Sequence, residues 1–270
     1  MAHTLEVGAY LDRIGFEGPR PPVPDAATLR ALHRAHLLTV PFENLDIHIG
    51  RPIVLDLAAL ERKLVGERRG GFCYELNGMF AALLRQLGYE VELLQARVRK
   101  AEGEGFGPPF DHLLLRVRCQ DGPRPWLADV GFGDSFMEPL RLEAGLEQAE
   151  VTGRWRIDAV DGDLELRRHP SGAGRWDPEH RFGSYAHELG SFAAMCRYHQ
   201  TSPKSPFTKR RVCSLATPTG RLTLRDDRLI VTDSGQRTER PIDGEAAFEA
   251  ALREHFGVVL PAVAPSSAAG

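Results

Sequence analysis

The 270-residue sequence contains no hydrophobic run that approaches the length of a membrane-spanning helix. Its first residues, MAHTLEVGAYLDRIGF, lack the basic stretch, apolar core and small-residue cleavage site of a secretory signal. The formal net charge is only -3, which gives no general attraction to nucleic acid or to an anionic membrane. These absences predict a cytoplasmic protein that has neither nucleic acid nor a membrane as a partner.

Cysteine is also scarce. The four cysteines, Cys73, Cys119, Cys196 and Cys213, lack the dense, regular spacing of a disulfide-stapled secreted domain, so we expect reduced thiols. The segments CRYH and HRAH each offer one pair of metal-ligating side chains, but a closed zinc site needs a second pair. The glycine fingerprints of phosphate loops and dinucleotide sites are missing too. Because neither the CRYH pair nor the HRAH pair has a matching second pair, the sequence predicts no metal site.

The composition is that of a globular protein: 42% hydrophobic and 26% charged residues allow a sizeable buried core. The first 88 residues are helical in pattern. Asp25 is a candidate N-cap for a helix that stops before Pro41, and Asp56 is one for a short second helix. A third helix is predicted to begin close to Cys73 and to end at Gly88. These three helices predict an N-terminal bundle.

Beyond the third helix the apolar residues recur at every second position, which is typical of strands. The segments are short and separated by glycine, proline and aspartate: YEVELLQARVRK, HLLLRVRCQ, PWLADVGFG, RWRIDAV and LELRRHP. They predict antiparallel strands that form a barrel. A less regular stretch, SYAHELGSFAAMCRYHQTSPKSPF, precedes two further strands in GRLTLRDDRLIVTDSG and a final helix in GEAAFEAALREHFGV.

The stretch RGGFCYELNG places a single cysteine at the predicted start of the third helix. Unpaired N–H groups and the positive end of the helix dipole would stabilise a thiolate of Cys73 there. We expect Gly70 and Gly71 to adopt backbone torsions that other residues avoid, which would leave the sulfur exposed. The alternative is a buried structural cysteine, which is common for this residue type. The local sequence leaves both interpretations open.

A catalytic thiol also needs a base and an acid that orients the base. His112 opens the strand HLLLRVRC, and alternation places it on the face opposite the more apolar side chains, among which Cys119 fills the core. Asp129 lies within the apolar strand of WLADVGFGD, either as a turn acid before glycine or as a carboxylate that accepts from His112. Adjacent strands would bring the two together.

Other polar residues near these three are expected to have structural roles. Glu75 and Asn77 lie on the helix of Cys73 and can bond the loop backbone, or Asn77 can point into a polar core. Arg69 is expected to pair with Glu43 or Glu75, or to remain solvated. The segment TSPKSPFTKRR combines cations with hydroxyl groups, which fits either the phosphates of a large cofactor or a solvated loop.

The segments RRGGFCYELNGMF, FDHLLLRVR and WLADVGFGDSFMEPL make the sequence resemble the arylamine N-acetyltransferases in their shorter bacterial form, a cysteine-dependent family that uses acetyl-coenzyme A. The resemblance extends upstream through VPFENLDIHIGRPIVLDL and downstream to HQTSPKSPFTKRRV, so it covers almost the whole chain. It implies an α+β fold with a helical bundle at residues 1–88, an antiparallel β-barrel at 89–190 and an α/β lid at 191–270. The implied triad arrangement is like that of the cysteine proteases.

The resemblance also implies site residues. Cys73, His112 and Asp129 match the family's catalytic triad. The substrate cleft would be lined by the positions Phe42, Tyr74, Val98, Phe132 and Phe207. The coenzyme would contact the positions Gly131, Gly133, Thr201, Ser202, Lys204 and Ser205.

These residues lead to one functional hypothesis and three rivals. In the hypothesis, Cys73 takes the acetyl group of acetyl-coenzyme A and passes it to an arylamine or hydrazine in a ping-pong reaction. A cysteine amidohydrolase of the papain-like or transglutaminase-like type would use the same triad with water or a protein amine as acceptor. An amide synthase of the same fold would close a macrolactam, and a binding module would hold a ligand without turnover.

Overall fold

The computed structural model describes residues 3–101, 105–169 and 174–261. The first part of the chain is helical, as predicted, with one short strand. It contains α1 (Val7–Arg13), α2 (Ala26–Thr39), β1 (Phe42–Glu43), α3 (Leu45–His48), α4 (Leu57–Glu61), a π-helical turn (Arg62–Gly66) and α5 (Cys73–Gln86). Asp25 and Asp56 cap α2 and α4 by accepting from the N–H groups of Thr28 and Ala59. Gly88 follows α5 with a φ of 93°, which confirms the predicted left-handed stop.

Eight antiparallel strands form the central sheet. They are β2 (Glu90–Val98), β3 (His112–Arg118), β4 (Trp126–Ala128), β5 (Leu140–Arg141), β6 (Glu147–Glu150), β7 (Gly153–Val160), β8 (Asp163–His169) and β9 (Asp177–His187). Their order in the sheet is β5-β4-β3-β2-β9-β8-β7-β6. The two edge strands meet where the Gln148 side chain accepts from the N–H of Arg141 at 2.6 Å and donates to its C=O at 3.0 Å. The sheet is therefore a nearly closed barrel, which confirms the predicted architecture.

Strand β9 is the main element that the sequence pattern does not indicate. Its sequence, DPEHRFGSYAH, mixes charged and aromatic residues instead of alternating polar with apolar ones. Its last four residues, a 3-10 turn (Leu189–Phe192) and helix α6 (Ala193–Thr201) occupy much of the stretch predicted to be irregular. That prediction is wrong, because β9 is held by its neighbours β2 and β8 and not by a pattern of its own.

The C-terminal part forms a five-stranded antiparallel sheet covered by a helix. Its elements are a 3-10 turn (Pro206–Thr208), β10 (Val212–Thr217), β11 (Gly220–Arg225), β12 (Arg228–Asp233), β13 (Gln236–Pro241) and α7 (Glu245–Phe256). The sequence predicts β11, β12 and α7; β13 is exposed along its whole length and so shows no alternation. Strand β1 pairs with β10 at the edge of this sheet. The division at residues 1–88, 89–190 and 191–270 stays a prediction.

Three buried apolar clusters hold these elements together: one surrounds α5, one fills the barrel and one lies between α7 and the five-stranded sheet. In β3, Leu113 and Leu115 belong to the α5 cluster, with Cys119 beyond the strand, and Leu114 belongs to the barrel cluster. His112 shares the face of Leu114, which confirms the predicted alternation, but this face is buried at both residues and reaches the surface only further along the strand. Within the described ranges, every helix is too short or too polar to cross a membrane.

The loop before α5 is packed too closely for side chains. A Cβ on Gly70 would lie 1.9 Å from the carbonyl oxygen of Pro41, and one on Gly71 would lie 2.7 Å from Oε2 of Glu75. Neither glycine has a positive φ, so the expectation of unusual torsions is wrong. Glycine is required here because the loop backbone approaches its neighbours directly.

We expect Gly70→Ala to destabilise the protein by about 2–3 kcal/mol or more, because the main chain of Pro41 cannot move aside as a flexible side chain can. Gly66→Ala is the matched control, because a Cβ there meets nothing within 4 Å. Alanine is favoured over glycine within a helix by about 0.5–1 kcal/mol, so the control should be neutral or stabilising. Denaturant unfolding of both variants measures the difference, and equal stabilities would contradict this account of the loop.

Candidate active site

Cys73 is the first residue of α5, which confirms the predicted helix start. The turn after β4 packs directly against it, since a Cβ on Gly131 would lie 2.8 Å from the Cα of Cys73. Only 3% of Cys73 is exposed, so the expectation of an exposed sulfur is wrong. The residue therefore lies where the start of the helix meets the barrel.

His112 and Asp129 form a buried pair. Strands β3 and β4 are antiparallel neighbours, as predicted, but Asp129 directly follows β4 and does not lie within a strand. His112 Nε2 is 2.8 Å from Asp129 Oδ2, and both side chains are at most 2% exposed. Because a carboxylate oxygen only accepts, Nε2 carries the proton in this hydrogen bond. The other ring nitrogen, Nδ1, is left able to accept a proton.

Three N–H groups hold the carboxylate of Asp129. Besides His112, the side chain of Asn77 and the main chain of Gly131 donate to Oδ1, at 2.8 and 2.9 Å. Burial alone would raise the pKa of Asp129, but the nearby His112 and the donated hydrogen bonds outweigh it and hold that pKa below its ordinary value. Asp129 is therefore ionised at neutral pH and fixes the orientation of the His112 ring.

His33, on α2, holds the main chain of the same turn. Its Nε2 accepts from the N–H of Asp129 at 3.1 Å, and its Nδ1 donates to the C=O of Met137 at 3.0 Å. Burial lowers the pKa of His33 to about 4, so the ring is neutral and keeps this arrangement of its proton. In the sequence, His33 belongs to HRAH, whose spacing suggests only a pair of metal ligands. Its contact with a residue 96 positions away has no local signal.

Asn77 connects the His112–Asp129 pair to the start of the helix. It lies four residues after Cys73 on α5, so the two side chains share one face with about 5–6 Å between their Cβ atoms. Asn77 Nδ2 also donates to the C=O of Leu113 at 2.7 Å, and its Oδ1 accepts from the N–H of Val130 at 2.9 Å. Of the two predicted roles, the polar-core position is confirmed. The spacing from Cys73 is the signal that could have indicated a positioning role.

The surroundings of Cys73 oppose ionisation of an isolated thiol. Burial raises the pKa of the Cys73 thiol well above its usual value, and the negative charges of Asp129 and Asp111 add to this effect. The N–H of Tyr74, in the first turn of α5, acts in the opposite direction. No hydrogen bond joins the sulfur to His112 in the part of the chain that the structure describes. A thiolate here therefore requires a neighbouring cation, because the helix start alone is not sufficient.

A second histidine stacks on His112. The ring of His180, on β9, lies 5.0 Å from that of His112 with 25° between the planes. Phe132 packs edge-on against both rings, at 4.3 Å from His180 and 5.2 Å from His112. Burial lowers the pKa of His180 to about 3, which keeps the ring neutral. No sequence pattern indicates His180, because its strand has none.

Three of the five predicted cleft residues belong to an aromatic cluster at the start of α5. Tyr74 and Phe207 pack edge-on against Phe72, with ring centroids 5.1 and 5.8 Å from it, and Phe42 packs against Phe207 at 6.1 Å. Tyr74 is fully buried, and its hydroxyl donates to the C=O of Phe110 at 2.7 Å. Tyr74 therefore supports the cluster from below, whereas Phe42 and Phe207 are half-buried and form its outer side.

The other two predicted cleft residues lie beside the stacked histidines. Phe132 contacts both rings, and Val98 is directly opposite His180 across β2 and β9. The two groups meet at Gly133, which has a φ of 93° and whose Cβ would lie 3.3 Å from the ring of Phe42. The predicted cleft residues thus lie in two neighbouring groups that meet at Gly133.

The segment after α6 is fixed by buried contacts. Ser205 is fully buried; its Oγ lies 3.1 Å from Nδ1 of His199 and accepts from the N–H of Phe207 at 3.2 Å. Nε2 of His199 lies 3.3 Å from the carboxylate of Asp111. The hydroxyl of Ser205 is therefore engaged in buried contacts within the protein, so Ser205 is not expected to contact a coenzyme.

The other positions predicted for the coenzyme differ in exposure. Thr201 and Lys204 are exposed and Ser202 is half-buried, so a bound molecule can reach all three. Gly133 is half-buried, whereas Gly131 is buried against Cys73. Contact at either glycine would involve the main chain.

Arg69 lies beneath the cysteine loop and is fully buried. It donates to Glu43 at 2.7 Å and to Asp46 at 2.8 Å, so the first of its two predicted partners is confirmed. Glu75, the other predicted partner, instead accepts from Lys63 at 2.7 Å.

Comparison with known proteins gives the class of this fold and site. The chain matches the family model of N-acetyltransferases over residues 25–264. It is 35% identical over 265 residues to an arylamine N-acetyltransferase of Mycolicibacterium smegmatis, covering 95% of this chain and 93% of that one. It is 34% identical to the arylamine N-acetyltransferase of Escherichia coli (strain K12), covering 92% of this chain and 87% of that one. The protein is therefore an acyltransferase.

Solved structures agree with these sequences. The structure of M. smegmatis arylamine N-acetyl transferase matches with a TM-score of 0.87 at 34% identity, covering 94% of this chain and 93% of that one. Mycobacterium marinum arylamine N-acetyltransferase in complex with CoA matches with a TM-score of 0.84 at 30% identity, again covering 94% and 93%. The chain belongs to the arylamine N-acetyltransferase family.

We expect Asn77→Ala to lower kcat/KM for acetyl transfer by up to about 100-fold, because Asp129 and with it His112 would lose their fixed position. The N–H of Val130 would also lose its buried partner, which costs about 1–3 kcal/mol of stability. Steady-state kinetics and thermal unfolding measure the two effects. Gln120→Ala, at an exposed amide, is the control and should change neither; an Asn77→Ala enzyme with normal kinetics would contradict the positioning role.

Proposed function

We propose that the protein transfers an acetyl group from acetyl-coenzyme A to an arylamine or arylhydrazine through a covalent acetyl-Cys73 intermediate. The observation that carries this proposal is the hydrogen-bonded connection from α5 to the barrel. Asn77, one turn after Cys73, donates to Asp129, and Asp129 accepts from His112. This supports a thiol, an imidazole and a carboxylate that act together. Family membership supports the acyl group and the class of acceptor.

In the first half-reaction, the sulfur of Cys73 attacks the thioester carbonyl of acetyl-coenzyme A. The thiol proton moves to Nδ1 of His112, because Nε2 is already protonated towards Asp129. The imidazolium is then the cation that a buried thiolate requires. An S–C bond to the acetyl carbon forms, the C–S bond to the coenzyme breaks, and His112 returns the proton to the leaving thiolate.

In the second half-reaction, the nitrogen of the amine attacks the acetyl carbon of acetyl-Cys73. A C–N bond forms and the C–S bond to Cys73 breaks, while His112 carries one amine proton to the sulfur. Asp129 remains ionised throughout and stabilises the imidazolium in both halves. The enzyme returns to its starting state after each acetyl transfer.

The acceptor is proposed to bind against the half-buried rings of Phe42, Phe132 and Phe207. Aromatic rings pack well against a flat aromatic amine in offset or edge-to-face arrangements. Val98 borders the same space beside His180. Tyr74 contributes from beneath by holding the cluster in place.

The coenzyme is proposed to enter past Gly131 and Gly133 and to extend along the segment that contains Thr201, Ser202 and Lys204. The relative from M. marinum that was solved in complex with CoA supports a coenzyme site in this fold. Lysine and hydroxyl donors suit the phosphate groups of such a ligand.

We also propose a cytoplasmic location, because the cysteines of the described residues are free.

Incubation with acetyl-coenzyme A and no amine should add one acetyl group to the protein, at Cys73. Intact-mass and peptide mass spectrometry measure this addition. Cys73→Ala should abolish it, whereas Cys213→Ala, which removes another buried cysteine, should retain it. An adduct that persists in Cys73→Ala would contradict the proposal. Turnover of glutamine or peptide amides without coenzyme A would favour a cysteine amidohydrolase.

We expect His112→Gln to slow acetylation of Cys73 by about 100- to 10,000-fold, because the side chain that moves the thiol proton is lost. Release of coenzyme A in a single turnover measures this step. His255→Gln, on α7 and away from the barrel, is the matched control and should retain the normal rate. Equal rates for the two variants would exclude His112 as the base.

A further inference from the structure

His180 carries two buried nitrogen atoms for which the proposed reaction has no use. The residue is fully buried, and neither Nδ1 nor Nε2 makes a hydrogen bond of normal geometry within the described ranges, with only a marginal contact to the main chain of Glu179. Buried polar atoms in native proteins nearly always have a partner, so such an exception needs an explanation. Its position, stacked on His112, places these nitrogen atoms, one of which carries a lone pair in the neutral ring, at the candidate active site.

The side chains of His112, Asp129 and His180 can converge on one point. Each offers one ligand atom, and the three atoms lie within 4.8 Å of one another. Nε2 of His112 and Oδ2 of Asp129 are already 2.8 Å apart. Zinc binds imidazole nitrogen and carboxylate oxygen at about 2.0–2.2 Å in a tetrahedron, which separates neighbouring ligand atoms by roughly 3.3–3.5 Å. The two imidazole planes are only 25° apart, so the ring of His180 must turn out of the stack before both lone pairs point at one metal and complete a set of two imidazoles and one carboxylate.

We propose that His112, Asp129 and His180 bind a divalent transition metal such as Zn²⁺, and that this binding switches the enzyme off. Imidazole and carboxylate donors suit zinc, and three protein ligands leave a fourth position for water. One ring nitrogen of His180, which has no role in the reaction of the metal-free enzyme, becomes a metal ligand. His112 and Asp129 belong both to the metal site and to the proposed catalytic pair. The thiol of Cys73 is not one of the metal ligands.

Inhibition follows because the metal binds Nε2 of His112. In the active arrangement Nε2 carries the proton and Nδ1 accepts the proton of the thiol. A metal on Nε2 displaces that proton, and the neutral ring then carries it on Nδ1, so the lone pair that served Cys73 is lost. The inhibition rests on the proposed function of His112, whereas the binding of the metal does not. A chelator that removes the metal should restore acetyl transfer.

The main alternative is that zinc binds the thiol of Cys73, since thiolate is also a good zinc ligand. Isothermal titration of the full chain with Zn²⁺ separates the two. We expect Cys73→Ala to retain the affinity within about 3-fold and His180→Phe, which preserves the stacked ring, to lose more than about 10-fold. His180→Gln is a second variant in case the first does not fold. The opposite pattern, with affinity lost in Cys73→Ala and kept in His180→Phe, would overturn the proposal.

Two further measurements complete the test. Co²⁺ bound to the wild-type protein should show visible d–d absorption without the thiolate-to-metal charge-transfer band that a bound Cys73 would add. Zn²⁺ should slow acetylation of Cys73 in the wild-type protein, and in His180→Phe it should do so only at more than about 10-fold higher concentration, each relative to that variant's own rate without metal. Metal binding without slower acetylation would overturn the inhibitory role. A protein that binds Zn²⁺ but never acetylates Cys73 would instead contradict the proposed function.

Discussion

A buried cluster of charges beneath the cysteine loop is the constraint on which the rest of the site depends. It contains Glu43, Asp46, Lys63, Arg69 and Glu75, each with at most 5% of its side chain exposed. Lys63 bonds Asp46 at 2.9 Å and Glu75 at 2.7 Å, while Arg69 bonds Glu43 and Asp46. Charges at this depth are tolerated only when they are paired, because an unpaired one is strongly destabilising. The cluster therefore restricts β1, α3 and α5 to one relative arrangement.

Glu75 transmits this constraint to the candidate nucleophile. One of its carboxylate oxygens accepts from Lys63, and the other accepts from the N–H of Phe72, directly before α5, at 3.0 Å. Two residues later, Asn77 attaches the same helix to the barrel through Asp129. Cys73 begins the helix beside both attachments, so the charge cluster and the barrel together determine where its sulfur lies. The close packing of the glycine loop follows from the same geometry.

Local signals in the sequence predict the residues of this site but not the long-range contacts that hold them in position. A helix start, an alternating strand and a short connection are local features: they place Cys73 at a helix start and His112 beside Asp129, although Asp129 follows its strand and Cys73 is buried. His33 reaches Asp129 across 96 positions, and no local pattern encodes such a contact. His180 lies on a strand that has no apolar alternation, because the strand is held by a neighbour on each side. Contacts of this kind exist only once the barrel has formed.

Burial of Cys73 has two opposite effects on the proposed chemistry. It raises the pKa of the thiol, so ionisation must be coupled to protonation of His112 and cannot come from the helix dipole alone. In the proposed reaction, the same burial would keep bulk water from acetyl-Cys73 and so limit its hydrolysis. The half-buried aromatic rings then favour a nucleophile that packs against them over one that does not. Under the proposed mechanism, a flat amine would reach the acetyl carbon through binding energy that water does not have.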